Sequence, residues 1–594
     1  MRDAYVPLQD YAVIGDGRTV ALISRPGSVD WWCLPNLDSP SVFGAILDAE
    51  RGGRWELSPE DPALTERRYL PDTNVLETTY ATATGRVRVT DVMTLPGRGL
   101  APLRELARRV EGLEGHVPMQ WRVEPRFGYG LAQTRVERRG RYPVATSGNS
   151  ALAVCGWDAG TVEIDDGGIA GRFEARAGTR ATLAVVAAYG EPLIFPSRDD
   201  VERRIEAATA FWRDWAARLT YSGPWRDAVV RSALALKLLV FAPSGAIAAA
   251  PTTSLPEAIG GERNWDYRFS WIRDSSFILE SLLQLGCETE ARAFFWWFMH
   301  ATQRTLPRLN VMYHLDGATV ETERELPLAG YRGSRPVRIG NGAAAQVQLD
   351  TYGELVDAAY QYADRGHALG AEPARDIARV ADYVCSTWRE PDSGIWEVRA
   401  APRHYTQSKA MCWVALDRAK RLAAGGHVPL HGAARWAREA AAIRRFIEER
   451  CWSDARQSYT WYAGGDELDA SLLLLAIGRY DRPDAPRMRM TIEAVRRDLG
   501  TGVFLHRYAG DDGLTRGEGA FVCCSFWLVE ALAVSGQRRE AERLMEELVA
   551  LANDVGLYAE EIEPASRTFL GNFPQGLVHL ALISAAVALE QAPR

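Results

Sequence analysis

The sequence predicts two folds in tandem: an N-terminal antiparallel β-sandwich over residues 1–198 and an all-α (α/α)6 barrel over residues 225–594, joined by a helical connector over 199–224. Three observations predict it. Short apolar runs with period two and frequent turn residues fill the first third of the chain. Helical spacing without intervening strands fills the rest. The loops between those helices alternate between long and short.

In the first third, the runs 21–23, 78–80, 87–92, 151–154 and 181–188 read as half-buried strands. Turn signals such as Gly15-Asp16-Gly17 and Asp165-Asp166-Gly167-Gly168 separate them. Many short strands with close turns argue for a sandwich. The pattern then switches. Val201, Ile205, Ala208, Phe211, Trp212 and Trp215 recur at helical spacing and make the connector.

Twelve helices follow, at 225–241, 271–285, 289–305, 345–365, 374–388, 406–423, 432–451, 467–477, 487–499, 518–535, 538–553 and 573–589. Six helical hairpins can close into a ring. A solenoid would repeat its sequence at a fixed period, and this chain does not. Loops leaving the odd helices of the twelve are long and rich in Trp, Asp, Glu and Arg: 255–270, 306–342, 389–405, 452–466, 500–517 and 554–572. The even-to-odd loops are short. In a closed ring all odd-to-even loops share one rim, and a single rim of long polar loops is where a scaffold carries function.

Composition narrows the chemistry. The chain has 594 residues, 47% of them hydrophobic, and a net charge of −8, so nothing draws it to nucleic acid or anionic lipid. Eight cysteines show no C-x-x-C spacing and read as reduced. The opening residues, with Asp3 and Asp10, contain no apolar signal core, and 233–249 is broken by Lys237 and Pro243, too short to span a bilayer. A cytoplasmic protein without membrane association is expected. The glycines at 15–17 and between Gly502 and Gly513 lack phosphate-cradling spacing, and no His pair has ligand spacing on a helix. No metal or cofactor is expected. The oligomeric state stays open, homo-oligomers included.

Two rim loops carry carboxylates beside aromatics: Gly394-Ile395-Trp396-Glu397-Val398-Arg399 and Gly556-Leu557-Tyr558-Ala559-Glu560-Glu561-Ile562-Glu563. Opposed carboxylates are what glycoside hydrolysis needs, one protonated to serve the leaving oxygen and one ionised. An indole beside Glu397 would raise its pKa and suit it to the acid role. Taken singly, each of these Glu reads as readily as a structural or solvated residue. A third rim segment, Arg263-Asn264-Trp265-Asp266-Tyr267-Arg268-Phe269-Ser270-Trp271-Ile272-Arg273-Asp274-Ser275, combines Arg and Asp with aromatic faces. That set can grip sugar diols, or it can be an Arg–Asp network capping a helix. His404 is the one histidine placed near this rim, with packing or hydrogen bonding as its expected role.

These motifs, in this order, resemble glycoside hydrolase family 15, which includes glucoamylases, glucodextranases and a branch of bacterial trehalases. Tyr11–Gly17 and Gly27–Cys33 through Asp38-Ser39-Pro40 resemble the β-domain opening of its two-domain, trehalase-like members. The resemblance spans nearly the whole chain and implies a β-sandwich followed by an (α/α)6 barrel. It implies that Glu397, after Trp396, is the general acid and Glu560 the general base of an inverting reaction. Tyr267, Trp271, Arg273 and Asp274 correspond to the pocket for the terminal glucose, and Arg507-Tyr508 to a sugar-binding pair. Asp469, Glu518 and Glu561 are similar to further polar positions of the substrate site. Ala559 stands where the family commonly has Ser. Val398 and Arg399 replace a second acid that contacts the leaving sugar in fungal glucoamylases, which makes Arg399 a candidate grip on a second glucose. The implied activity is exo-hydrolysis of a small α-glucoside, trehalose first, with a glucoamylase- or isomaltose-type exo-glucosidase as the alternative. A disaccharide phosphorylase would need no base carboxylate, and a non-catalytic sugar sensor would need neither.

Overall fold

The computed structural model describes residues 5–61, 63–95, 104–165, 167–478, 480–510 and 517–592; Asp3, Asp166 and Gly513, noted above, lie outside them. Fifteen described strands form two antiparallel sheets that share one strand, Arg104–Val123. Its first half pairs with Gly85–Met93 and Arg180–Tyr189. Its second half pairs with Trp55–Pro59 and Ile169–Arg176. The crossing falls at Gly112 and Gly115, where the register shifts against residues 86 and 87. Gly115 has φ +59°, and a Cβ there would lie 2.1 Å from the Thr84 carbonyl oxygen. Only glycine lets the strand bend at that point. The long strand was not legible in the sequence because charges interrupt its alternation. Inside, those charges are paired: buried Arg108 donates to Asp91 Oδ1 at 2.8 Å, and Arg204 holds Glu105.

Thirteen helices follow among the described residues: α1 Arg198–Ala216, α2 Arg226–Leu239, α3 Ser275–Gln284, α4 Glu288–Gln303, α5 Asp350–Asp364, α6 Ala371–Thr387, α7 Thr406–Ala424, α8 Ala433–Arg450, α9 Leu474–Ile477, α10 Pro486–Leu499, α11 Val522–Val534, α12 Arg538–Val549 and α13 Gly576–Gln591. Ser197 starts α1 with a capping box to Asp200. Helices α3, α5, α7, α9, α11 and α13 pack each on the next, and α13 closes on α3. The other six of the barrel lie outside this ring. Burial explains the division. Every residue of α11 from Val522 to Ala533 is buried, whereas α12 buries only Ala541, Leu544, Met545 and Leu548.

All twelve barrel helices expected from the sequence are present; those at 406 and 538 start where expected and the other starts are shifted. The rim loops are not free of strands. Small hairpins pair Thr253–Pro256 with Asn264–Asp266, Ser270–Trp271 with Met312–Tyr313, and Arg324–Leu326 with Val337–Ile339. Glu561–Ile562 lies between Ala520–Phe521 and Phe569–Leu570. These pairings explain why α3 and α11 begin four residues later than helical spacing suggests. The helix expected at 467–477 is a 3-10 turn, Ala470–Leu473, continued by the single turn of α9.

The β domain is pinned to the rim. Trp31 Nε1 donates to the Pro251 carbonyl at 2.8 Å. Arg268, fully buried, forks onto Asp266 through Nε (2.8 Å) and Nη2 (2.7 Å) and reaches the Ser39 carbonyl (2.8 Å). Replacing Arg268 with Ala leaves Asp266 charged and buried without its partner, so the variant should lose about 3–5 kcal/mol of stability in denaturant unfolding. A loss under about 1 kcal/mol would mean the pin is dispensable.

Candidate active site

Glu397 sits on the loop between α6 and α7, held in a left-handed backbone conformation with φ +58°. Such a conformation costs a non-glycine residue on the order of 1 kcal/mol and persists only where neighbours enforce it. Here the Glu397 amide donates to the Gly394 carbonyl (3.2 Å), Val398 N–H to Ser393 O (3.1 Å), and Gln346 Nε2 to the Glu397 carbonyl (3.1 Å). Gly394 is obligatory for the turn: φ is +68°, and a Cβ would lie 2.8 Å from the Tyr405 ring. The carboxylate is aimed by two donors. Trp271 Nε1 reaches Oε1 at 2.6 Å and Arg273 Nη1 reaches it at 3.1 Å.

Arg273 also donates to the Ile395 carbonyl (3.0 Å) and, through Nε, to Asp274 Oδ1 (2.9 Å). Asp274 occupies the N-cap position of α3, yet its side chain makes no cap hydrogen bond. The capping alternative therefore fails for this pair, and Asp274 instead orients Arg273. The first Asp–Arg pair of the same segment, Asp266 with Arg268, is the structural one described above.

Glu560 and Glu561 stand on the loop between α12 and α13, both fully buried. Glu560 Oε2 accepts from the Asn572 amide at 3.1 Å, and Oε1 has no hydrogen-bond partner. Asn572 in turn is fixed by Thr252 Oγ1 (2.8 Å) and donates to the Trp265 carbonyl (3.0 Å). Gly571 makes room: its φ is +73°, and a Cβ would fall 2.5 Å from Glu560 Oε2. Tyr267 lies within the fields of Glu560, Glu257 and Glu397, which together with burial raise its hydroxyl pKa well above the ordinary value.

Arg507 gathers the remaining acids. Its Nη2 lies 2.8 Å from Glu257 Oε2, 2.5 Å from Glu518 Oε2 and 3.4 Å from Glu561 Oε1. Arg263 Nη1 adds a contact to Glu518 at 3.2 Å. Oxygens of Glu257, Glu518 and Glu561 lie within 4.8 Å of one another, close enough to hold a cation, and the guanidinium of Arg507 supplies that charge. One pocket results, walled by Trp265, Tyr267, Arg273, Trp396, Glu397, Arg399, Arg507, Tyr508, Phe521 and Gln575. Polar donors, aromatic faces and two carboxyl groups within one enclosed site suit acid–base chemistry on a sugar.

Comparison with known proteins decides the family. The model for glycosyl hydrolases family 15 matches residues 223–587, and that for the trehalase-like N-terminal domain matches residues 2–211. This chain is a family 15 glycoside hydrolase. A trehalase of Mycobacterium tuberculosis is 40% identical, with 99% of this chain and 90% of that protein covered. A trehalase of Thermoplasma volcanium is 35% identical, covering 99% and 94%. The hydrolase also shares its fold with a bacterial glucoamylase solved in complex with acarbose, at a TM-score of 0.73 and 12% identity over 99% of this chain and 95% of the other. Its substrate is a glycoside.

Of the residues expected at the site, Tyr267, Arg273, Trp396, Glu397, Arg399 and Arg507 line the pocket of the hydrolase. Trp271, Asp274, Asp469, Glu518, Glu560 and Glu561 stand one layer behind and hold the lining groups. Asp469 Oδ2 accepts from Trp396 Nε1 at 2.7 Å; burial pushes its carboxyl up to about 7. His404 stands edge-on to Phe446 at 5.7 Å and does not line the pocket. Trp265 was read only as part of the Arg–Asp segment, and Glu257, Asn341, Gln346, Phe521 and Gln575 had no role in the sequence reading. For Glu257 and Asn341 the length of their loops was the signal; the other three fall inside expected helices. No helix among the described residues is long and apolar enough to cross a membrane.

The electrostatics run in one direction. Burial raises Glu397, opposed by Arg273 and the Trp271 N–H. Burial and then the Glu257 charge push Glu560 up to about 8, and Glu561 is raised well above the carboxylate range by the same two causes. The Glu257 charge therefore opposes ionisation of both Glu560 and Glu561. A reaction that needs Glu560 as carboxylate loses rate as pH falls through its pKa. Glu257→Gln removes the neighbouring charge, so the acid limb of the kcat/KM profile should move to lower pH. A limb that stays put or moves upward contradicts this coupling.

Proposed function

We propose that the hydrolase cleaves α,α-trehalose to two glucose molecules with inversion, Glu397 acting as general acid and Glu560 as general base. One observation carries the reading: Glu397 lines the pocket, and on a different rim loop the buried Glu560, with one carboxyl oxygen unpartnered, stands behind the pocket residue Tyr267, whose hydroxyl feels its charge. Trehalase relatives matching 99% of the chain support the choice of disaccharide. The substrate enters with its terminal glucose against Tyr267 and Arg273. Glu397, raised by burial, gives its proton to the glycosidic oxygen. Glu560, through the oxygen that has no protein partner, takes a proton from a water attacking the opposite face of the anomeric carbon. Inversion needs the two carboxyl groups about 6.5–9.5 Å apart, which leaves room for that water. Asp274, Asp469, Glu518 and Glu561 hold the groups that touch the sugar.

Residues 1–198, 199–224 and 225–594 form the β domain, connector and catalytic unit of this reading, a division that the limits of the two family models at 211 and 223 support. Eight buried cysteines suit a reducing, cytoplasmic compartment. A glucoamylase-type reading draws on the shared fold alone.

Glu397→Gln and Glu560→Gln should each fold and lose turnover by about 10²–10⁴-fold, the usual worth of a positioned acid or base. Near-normal turnover in either removes that residue from the mechanism. Across trehalose, maltose, isomaltose, maltotriose and soluble starch, kcat/KM should be highest for trehalose. A higher value for maltotriose or isomaltose moves the hydrolase to the exo-glucosidase reading.

A further inference from the structure

Beyond Glu397, the pocket wall is built as a stack with one carboxylate behind it. Arg399 follows Glu397 by two residues and lines the pocket. Its guanidinium lies 4.2 Å from the Trp265 ring centroid, and that of Arg338 lies 4.6 Å from the same ring. Trp265 is fixed in turn, its Nε1 donating to Glu257 Oε1 at 3.0 Å. Two guanidiniums on one indole repel each other. The charge that offsets them is Glu323, which precedes the hairpin strand Arg324–Leu326.

Glu323 spends both oxygens on this wall. Oε1 is 3.1 Å from Arg338 Nε. Oε2 accepts from Arg399 Nη2 (3.3 Å) and from the Gly342 amide (3.0 Å). Arg338 is further anchored to the Glu262 and Asn264 carbonyls, at 2.6 and 3.2 Å. The Arg399 side chain is 36% exposed and has one ion-pair partner, Glu323. Without that partner, a long cationic side chain at a pocket mouth would sample many rotamers.

An acid that protonates the glycosidic oxygen must face the leaving side of the bond. Arg399 and Trp265 stand beside it. We infer that Glu323 is a positioning residue for leaving-sugar recognition: it holds Arg399 against Trp265 so that a charged donor and an aromatic face meet the second sugar ring. The inference rests on the acid role of Glu397 given above. It assigns to the loop between α4 and α5, which supplies no proton-transfer group, the choice between a sugar and a smaller leaving group.

Two substrates separate the possibilities. Trehalose has a sugar leaving group; α-glucosyl fluoride has none and still needs Glu560 and the terminal-glucose pocket. Glu323→Ala should lower kcat/KM for trehalose by roughly tenfold or more, mainly through KM, as expected when a charge-assisted contact loses its support. On α-glucosyl fluoride the loss should stay within about twofold. Glu323→Asp, which keeps the charge, should recover part of the trehalose activity, and Arg399→Ala should reproduce the selectivity of Glu323→Ala. Equal losses on both substrates would make Glu323 a general structural support and overturn the inference. So would unchanged trehalose kinetics. If the unaltered chain hydrolyses both substrates and Glu397→Gln loses trehalose far more than α-glucosyl fluoride, the acid reading stands whatever Glu323 does. If it hydrolyses neither substrate, that reading falls and takes the inference with it.

Discussion

Arg507 is the constraint on which the rim depends. Three carboxylates, the buried Glu257 and Glu561 and the half-buried Glu518, come from three different loops and would repel one another without a cation among them. A buried ionic group of this kind adds little net stability, because desolvation offsets attraction, yet it is costly to break. It closes only when all three loops are in place. From it the pocket follows outward. Glu257 fixes Trp265, and Trp265 is the plate on which Arg399 and Arg338 lie. Glu561 pairs in register with Phe521, a pocket wall, and its neighbour Glu560 is held by the Asn572 amide.

Among the described residues, no side chain of the β domain lines the pocket. The domain stiffens the floor from behind. The fork of Arg268 on Asp266 ties that floor to the Ser39 carbonyl, and the Trp31 indole ties it to Pro251. Asp266 then accepts from the Gly340 amide (3.2 Å), and its carbonyl accepts from Asn341 Nδ2 (3.3 Å) in the long loop carrying Gln346, which holds the Glu397 carbonyl. A pin between domains is thus two contacts away from the strained turn at Glu397.

The helices were legible because apolar spacing reports burial directly, and the alternation of loop lengths reported the ring. The placement of Glu397 and Glu560 on rim loops was legible because each sits beside aromatics on a long loop, while their roles came only from the family resemblance. Function within the Arg–Asp segment was not. Asp266-Arg268 and Asp274-Arg273 use the same residue types a few positions apart, one as a buried domain pin and the other at the pocket, and only the fold tells them apart. The 20-residue strand Arg104–Val123 was hidden by its own paired charges. Glu257 and Glu323 were hidden for a different reason: each acts through partners far away in sequence, and spacing carries no record of such a contact.

The central claim is that two carboxyl groups act across a water, and the anomeric form of the first products tests it most directly. Trehalose cleaved with inversion yields one β-glucose, from the attacked ring, and one α-glucose, from the leaving ring. Proton NMR of the first turnovers, recorded before mutarotation, should therefore show both anomers in equal amounts. Two α-glucose molecules per trehalose would mean retention, and would contradict Glu560 as a base acting through water.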